Sequence, residues 1–310
     1  MNTKSYIYFV RIQKIAKLYS DLLMVSFRSN LHQKKGRQLL LLGSFFILLI
    51  IPLKINAKSS DEILFQLSCK FDTLKQNQPD SIKLRINKEC IALFSGILSH
   101  PESFDDPYNE LPNIGKVISD DGKVKIYTWG FPLQDKSFAF AGFIQKKEKK
   151  KVITTPLKIR ETPYVPMQSK NIPPTNWYGA LYYKVVKIKQ RKEEYYLALG
   201  WSGNDASTDF KVIEPIFFDR NGRVSYLGKP LFETGNKKFS RIVLEYTSEG
   251  KVTLNINDTN TLIIFDHLIP IEPMYQGIKA YYGPDFTYDA YRIEKKEGWK
   301  FEENIDARNK

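Results

Sequence analysis

From Pro112 onward the chain alternates apolar and polar residues at a period of two, in segment after segment parted by turn residues. That pattern admits little besides antiparallel sheet. Val124, Ile126 and Thr128 alternate with Lys123, Lys125 and Tyr127 after Asp120-Asp121-Gly122, a tripeptide suited to a tight turn. Ile242, Leu244 and Tyr246 share one face of a later strand, and Val252, Leu254 and Ile256 share one face of the next. With Ser248-Glu249-Gly250 between them, the spacing predicts a hairpin with one wet side. Further strands are predicted over 177–189, 195–201, 210–218, 261–265, 278–282, 288–293 and 299–302. The turn glycines Gly122, Gly222, Gly250 and Gly298 follow no fixed period, so no repeat array is read. The fold class expected is mainly β, an antiparallel meander arranged as a sandwich or propeller-like, with a short N-terminal helical lead-in.

That lead-in comes from two stretches. Ile63, Leu64, Leu67 and Phe71 recur at helical spacing behind Ser59, Ser60 and Asp61, which supply capping chemistry and acid for a first turn. Ile91, Leu93, Phe94, Ile97 and Leu98 make a second apolar face, stopped by His100-Pro101. The organisation expected is 1–57 as extension and signal peptide, 58–110 as helical lead-in and 111–310 as β domain. Residues 146–176, rich in Lys, Pro and Thr, are the candidate linker or excursion within it.

The leader rests on order. Lys34, Lys35 and Arg37 precede an apolar run from Leu39 to Leu53, and a short polar tail ends at Ala57. A cationic end, an apolar segment and a small terminal residue are what a secretory signal requires. The run is shorter than the roughly 20 residues of a spanning helix, so cleavage between Ala57 and Lys58 is expected rather than anchoring. Met24 opens an ordinary cationic leader and competes with Met1 as the start. Export to the periplasm or cell surface follows.

The formal charge of +13 invites a nucleic-acid reading. Residues 1–57 hold nine Lys and Arg against Asp21 alone, which takes +8 of that charge and leaves +5 for 58–310. No nucleic acid is therefore expected. One basic cluster persists, Lys146, Lys147, Lys149, Lys150 and Lys151 around Glu148, read as a solvated loop or hairpin end ahead of a phosphate or lipopolysaccharide contact. Cys69 and Cys90, the only cysteines, both follow the expected cleavage site, and an oxidising compartment would join them. Such a loop closure stabilises by roughly 3 kcal/mol on chain-entropy grounds.

Histidine is scarce beyond the leader, only His100 and His267, which excludes a multi-histidine metal site in the β region. No Gly-x-Ser-x-Gly elbow occurs. The loop from Gly200 to Asp209 is rich in oxygen side chains, and Asn204, Asp205 and Asp209 either ligate a hard cation or simply form a turn. Asp266-His267 with Asp285 and Asp289 is a second acidic group, fit for acid–base work or for ending strands. Trp177, Tyr178, Tyr182, Tyr183, Tyr195, Tyr196 and Trp201 either stack on sugar rings or pack across strands. The candidate binding rim is Trp201, Asn204, Asp205, Asp266, His267, Asp285 and Asp289, gathered at strand ends. Gly200, Gly203, Pro270 and Pro284 beside them point the same way. No metal and no cofactor are expected.

Five segments carry a resemblance: Asn176-Trp177-Tyr178-Gly179-Ala180-Leu181-Tyr182-Tyr183, Leu199-Gly200-Trp201-Ser202-Gly203-Asn204, Ile264-Phe265-Asp266-His267-Leu268-Ile269-Pro270, Tyr282-Gly283-Pro284-Asp285-Phe286-Thr287-Tyr288-Asp289 and Asp306-Ala307-Arg308-Asn309. Over roughly 60–310 the chain resembles an uncharacterised family of exported, β-rich proteins from Gram-negative bacteria. The resemblance implies export and one β unit, and brings no activity. An acidic residue often stands in that family where this chain has Ser202, a departure that weakens a cation site there. The function expected is a non-enzymatic envelope module, binding or structural. Its partner would be a glycan, a peptide or a protein of the envelope, with membrane contact only through an uncleaved leader. The alternative is a hydrolase of an envelope polymer acting through Asp266, Asp285 or Asp289.

Overall fold

The computed structural model describes residues 60–149, 151–158, 168–190, 193–294 and 298–306. Cleavage at Ala57-Lys58, the choice of Met1 or Met24 and part of the expected linker lie outside the described residues. Two helices come first, α1 (Ser60–Lys75) and α2 (Asp80–Leu98). Leu64, Leu67, Phe71 and Leu74 of α1 and Cys90, Phe94 and Leu98 of α2 turn inward at three- and four-residue spacing. They pack on Tyr127, Trp129, Phe131, Ala141 and Phe143 of the first sheet, so the helices share a core with the strands that follow them. Asn87 Oδ1 accepts the indole N–H of Trp129 at 2.7 Å within that core.

The first sheet is a four-stranded meander of β1 (Gly115–Ile118), β2 (Val124–Pro132), β3 (Phe138–Glu148) and β4 (Lys151–Leu157). Its other face, through Val124, Ile126, Phe140 and Ile144, meets the central sheet. The central sheet runs β11 (Ile242–Thr247), β7 (Thr208–Phe218), β6 (Glu193–Gly203) and β5 (Leu181–Gln190), with β8 (Val224–Leu227) paired to β7. Tyr196 and Ala198 of β6 enter the core shared with the first sheet, and Tyr195, Leu197 and Leu199 enter the core shared with the outer sheet. Burial on both faces explains why β6 reads as a nearly unbroken apolar run.

The outer sheet is ordered β10 (Lys237–Phe239), β9 (Phe232–Thr234), β15 (Gly298–Glu302), β14 (Tyr282–Glu294), β13 (Leu262–Pro270) and β12 (Leu254–Ile256). All its pairings are antiparallel except β15 with β9, which is parallel with Trp299 opposite Phe232. The three sheets stack face to face through these two cores in a sandwich-like architecture. Among the described residues no helix is long and apolar enough to cross a membrane.

Three expectations are corrected. The predicted hairpin is absent: β11 pairs with β7 in the central sheet, whereas β12 pairs with β13 in the outer one. Their apolar faces meet across the sandwich, with Ile242, Leu254 and Ile256 in one core, so the turn at Ser248-Glu249-Gly250 carries the chain from sheet to sheet. The stretch expected as a strand over 278–282 is a 3₁₀ turn at Lys279–Tyr281 that leads into β14. Cys69 and Cys90 are unbonded. Cys69 lies between the inward-facing Leu67 and Phe71 on the solvent side of α1, while Cys90 points into the core with Phe94.

Candidate functional site

The turn between β6 and β7 closes on its own side chains. Asp205 Oδ1 accepts the backbone N–H groups of Ser207 and Thr208 at 2.7 and 2.9 Å, and Asn204 Nδ2 donates to Thr208 Oγ1 at 2.7 Å. That is the turn chemistry of an Asx loop. Among the described residues no group of three or more His, Cys, Asp and Glu gathers as a metal would require. Trp201 is half-buried, its ring edge-on to Phe138 at 5.3 Å. Burial raises the Asp209 pKa, against a hydrogen bond from Trp201 that favours the ionised form.

Gly200 and Gly203 prove to be packing positions. A Cβ on Gly200 would stand 2.9 Å from the Tyr182 ring, and one on Gly203 would overlap the ring of Phe138. These glycines admit aromatic rings where a side chain would clash.

The second half of the rim forms around a bulge. The β13–β14 register shifts between Asp266 and Leu268, where His267 of β13 stands against Asp285, Phe286 and Thr287 of β14, so the extra residues lie on β14. Its Nδ1 lies 2.8 Å from Asp289 Oδ2, and Asp289 Oδ1 accepts the backbone N–H of Asn304 at 3.2 Å. Desolvation works to lower the His267 pKa, yet the hydrogen bond and charge of Asp289, with the charges of Asp285 and Glu303, prevail and raise it. Asp266 is buried and clamps Thr253, taking its N–H at 2.7 Å and its hydroxyl at 2.9 Å. Asp285 is half-buried and accepts Thr287 N–H and Oγ1–H at 3.0 and 2.7 Å, and between them Phe286 projects at φ +68°, 91% exposed.

Asp266, His267 and Asp289 line one groove of about 430 Å³ between β11 and the outer sheet, together with Leu244, Phe265 and Tyr291. Trp201, Asn204, Asp205 and Asp285 do not line it. Lys211 links the two halves: burial lowers its pKa, and both Asp209 and Asp266 oppose that shift through their charges. The apolar wall of the groove comes from residues that periodicity marks only as core.

The aromatic row is core. Trp177, Tyr178, Tyr182, Tyr195 and Tyr196 are buried, and only Tyr183 is exposed, with Lys211 over its ring. Sequence reasoning missed a buried cluster beside it, in which Tyr178 donates to Glu214 at 2.6 Å and Glu214 pairs with Arg241. No family model, curated protein or solved structure matches the chain.

Proposed function

We propose that the chain is an exported, non-enzymatic module of the cell envelope that binds another envelope component in the groove between β11 and the outer sheet. One observation carries this reading. Two of the three carboxylates that line the groove are engaged in holding the fold, Asp266 on Thr253 and Asp289 on His267 and Asn304, and with Glu245 they stand beside a wall of apolar side chains. Its volume falls within the roughly 300–1,000 Å³ of ordinary binding sites, which are mostly apolar with a few placed polar groups. The leader, and the resemblance to exported β-rich proteins, support the envelope as the compartment.

The test incorporates a photo-crosslinking residue at Leu244 in the groove, or at exposed Lys251 as a control, in the full chain made in a Gram-negative host. An envelope adduct from position 244 and none from 251 is the expected result. Recovery of the protein only from the cytosol, or equal labelling at both positions, would defeat the proposal.

Hydrolysis through Asp266, Asp285 or Asp289 is the second reading, favoured by the orientation that Asp289 gives His267. The raised pKa of His267 weighs against it, because a ring that keeps its proton to higher pH is less available as a general base. Product release from an envelope polymer that disappears in Asp289→Asn would reverse the ranking.

A further inference from the structure

A second cleft, of about 1460 Å³, opens where the β3–β4 hairpin meets the β7–β8 turn. It shares no lining residue with the groove beside His267. Its cations come from segments far apart in sequence. Lys123 stands at the start of β2, Lys149 and Lys151 at the hairpin tip, and Arg220 and Arg223 on the β7–β8 turn. All five side chains are exposed, and none has a carboxylate partner among the described residues. Three more lysines on the walls are paired: Lys146 with Glu148 at 2.7 Å, Lys147 with Asp105 at 2.6 Å and Lys187 with Glu194 at 2.8 Å.

The walls are fixed against one another. Gly222 holds φ +80°, and a Cβ there would stand 3.1 Å from Ile153 of β4, so the arginine-bearing turn sits directly on the lysine-bearing hairpin. Val224 N–H donates to Thr155 Oγ1 at 3.1 Å just behind it. Asp219, next to Arg220 in the chain, accepts within the turn from the N–H groups of Asn221 and Arg223. The C-terminal end of α2 also faces the cleft, but its Leu98 carbonyl already accepts from Thr154 Oγ1 at 2.8 Å and Gln145 Nε2 at 3.2 Å. Phe218 and Tyr196 stand edge to face on the inner side, with Lys146 over the Phe218 ring at 4.6 Å.

Bringing five unpaired cations to one concavity costs electrostatic repulsion, and an anion held among them relieves it. Exposed lysines along a strand need no such account. Lysine and arginine charges converging from three separate turns onto one walled cleft do.

We infer that this cleft binds a compact ligand bearing clustered phosphates, gripped between Lys149 and Lys151 on one wall and Arg220 and Arg223 on the other. Arginine forks engage phosphate oxygens in pairs, and lysine ammonium groups add charge. A cleft with cations facing each other suits clustered phosphates, whereas a nucleic-acid strand calls for a groove that tracks its backbone over several nucleotides. The assignment stands independently of the proposed groove and compartment.

The probe is inorganic tripolyphosphate, titrated by calorimetry into the protein at low and at moderate salt. Binding that weakens with salt, and that falls at least tenfold in the Arg220→Glu/Arg223→Glu pair and in the Lys149→Glu/Lys151→Glu pair, is the expected result. Lys251→Glu, an exposed charge outside the cleft, should leave affinity unchanged. Phosphatidylcholine vesicles with and without phosphatidic acid separate the sources. Co-sedimentation that requires phosphatidic acid and is reversed by tripolyphosphate assigns the phosphates to a lipid headgroup, and tripolyphosphate binding without co-sedimentation assigns them to a soluble ligand. No heat of binding at low salt, an equal loss in Lys251→Glu, or tighter binding of a single-stranded oligonucleotide than of tripolyphosphate would each overturn the inference.

Discussion

Glu214 and Arg241 pair inside the protein with neither side chain exposed, the guanidinium Nε 3.0 Å from the carboxylate Oε2. Arg241 also donates to the carbonyls of Lys170 at 2.6 Å and Leu227 at 3.1 Å, so one side chain ties β7, the end of β8 and the segment entering β5. Burial raises the Glu214 pKa, opposed by Arg241 and by the Tyr178 hydroxyl. Arg241→Met strands a buried carboxylate and should lower stability by about 3–5 kcal/mol. Pairing it with Glu214→Leu removes the stranded charge and should recover part of that loss. Urea unfolding of both variants checks this, and equal losses would show that the charge pairing is not what the site contributes.

Cys69 and Cys90 are predicted to behave as two unlike thiols. Cys69 is exposed on α1, whereas burial pushes the Cys90 pKa up to about 12 and keeps it as the unreactive thiol. A thiol reagent should take up one equivalent from the native protein and a second after unfolding. Two equivalents at once, or none after unfolding without reductant, would contradict the structure.

What the sequence made legible follows from what periodicity measures. It reports which face of a segment is apolar, so α1, β6, β7 and the paired faces of β11 and β12 were readable. It does not report which sheet a strand joins. Ile242 and Leu254 satisfy the same pattern as neighbours in a hairpin or as partners across a core, and only the long-range pairings of β11 with β7 and β12 with β13 decide between them. The two cysteines misled for a related reason: compartment chemistry gave a motive for bonding, while the helical phase of Cys69 against Leu67 placed its thiol outside. Of the rim, Asp266, His267 and Asp289 are legible as an acidic group, but the strand ends expected for them are wrong, since they lie within β13 and β14, whereas Arg220 and Arg223 are invisible because an isolated turn arginine looks the same whether or not a lysine hairpin faces it.

His267 gives the fold a pH dependence whose sign is fixed by its raised pKa. The folded state binds the imidazole proton more tightly than the unfolded chain, whose ordinary value is 6.5. The stabilisation from the Asp289 pair is therefore complete below about pH 6.5 and is lost as pH rises through the higher folded value. Urea midpoints of the wild type should decline across that interval relative to His267→Gln, which lacks the titrating group. Parallel profiles for the two proteins would remove His267 as the origin.

Asp266 separates an architectural rim from a catalytic one. Its carboxylate takes both the N–H and the hydroxyl of Thr253, and Thr253 O lies 3.4 Å from Asp266 N, so β13 and the strand entry to β12 hold each other at the point where the chain has just left the central sheet. Hydrogen bonds to a charged acceptor contribute more than neutral ones, and losing this pair should cost about 2 kcal/mol. Asp266→Ala and Thr253→Ala should each destabilise, the alanine at 253 by less because the backbone N–H remains a donor. The double variant should lose less than the sum of the two, since both remove one hydroxyl contact. A double-mutant cycle in urea measures that coupling. Additive losses would mean that Asp266 stabilises through other partners, and an Asp266→Ala protein of undiminished stability would free this carboxylate for the chemistry that the hydrolase reading asks of it.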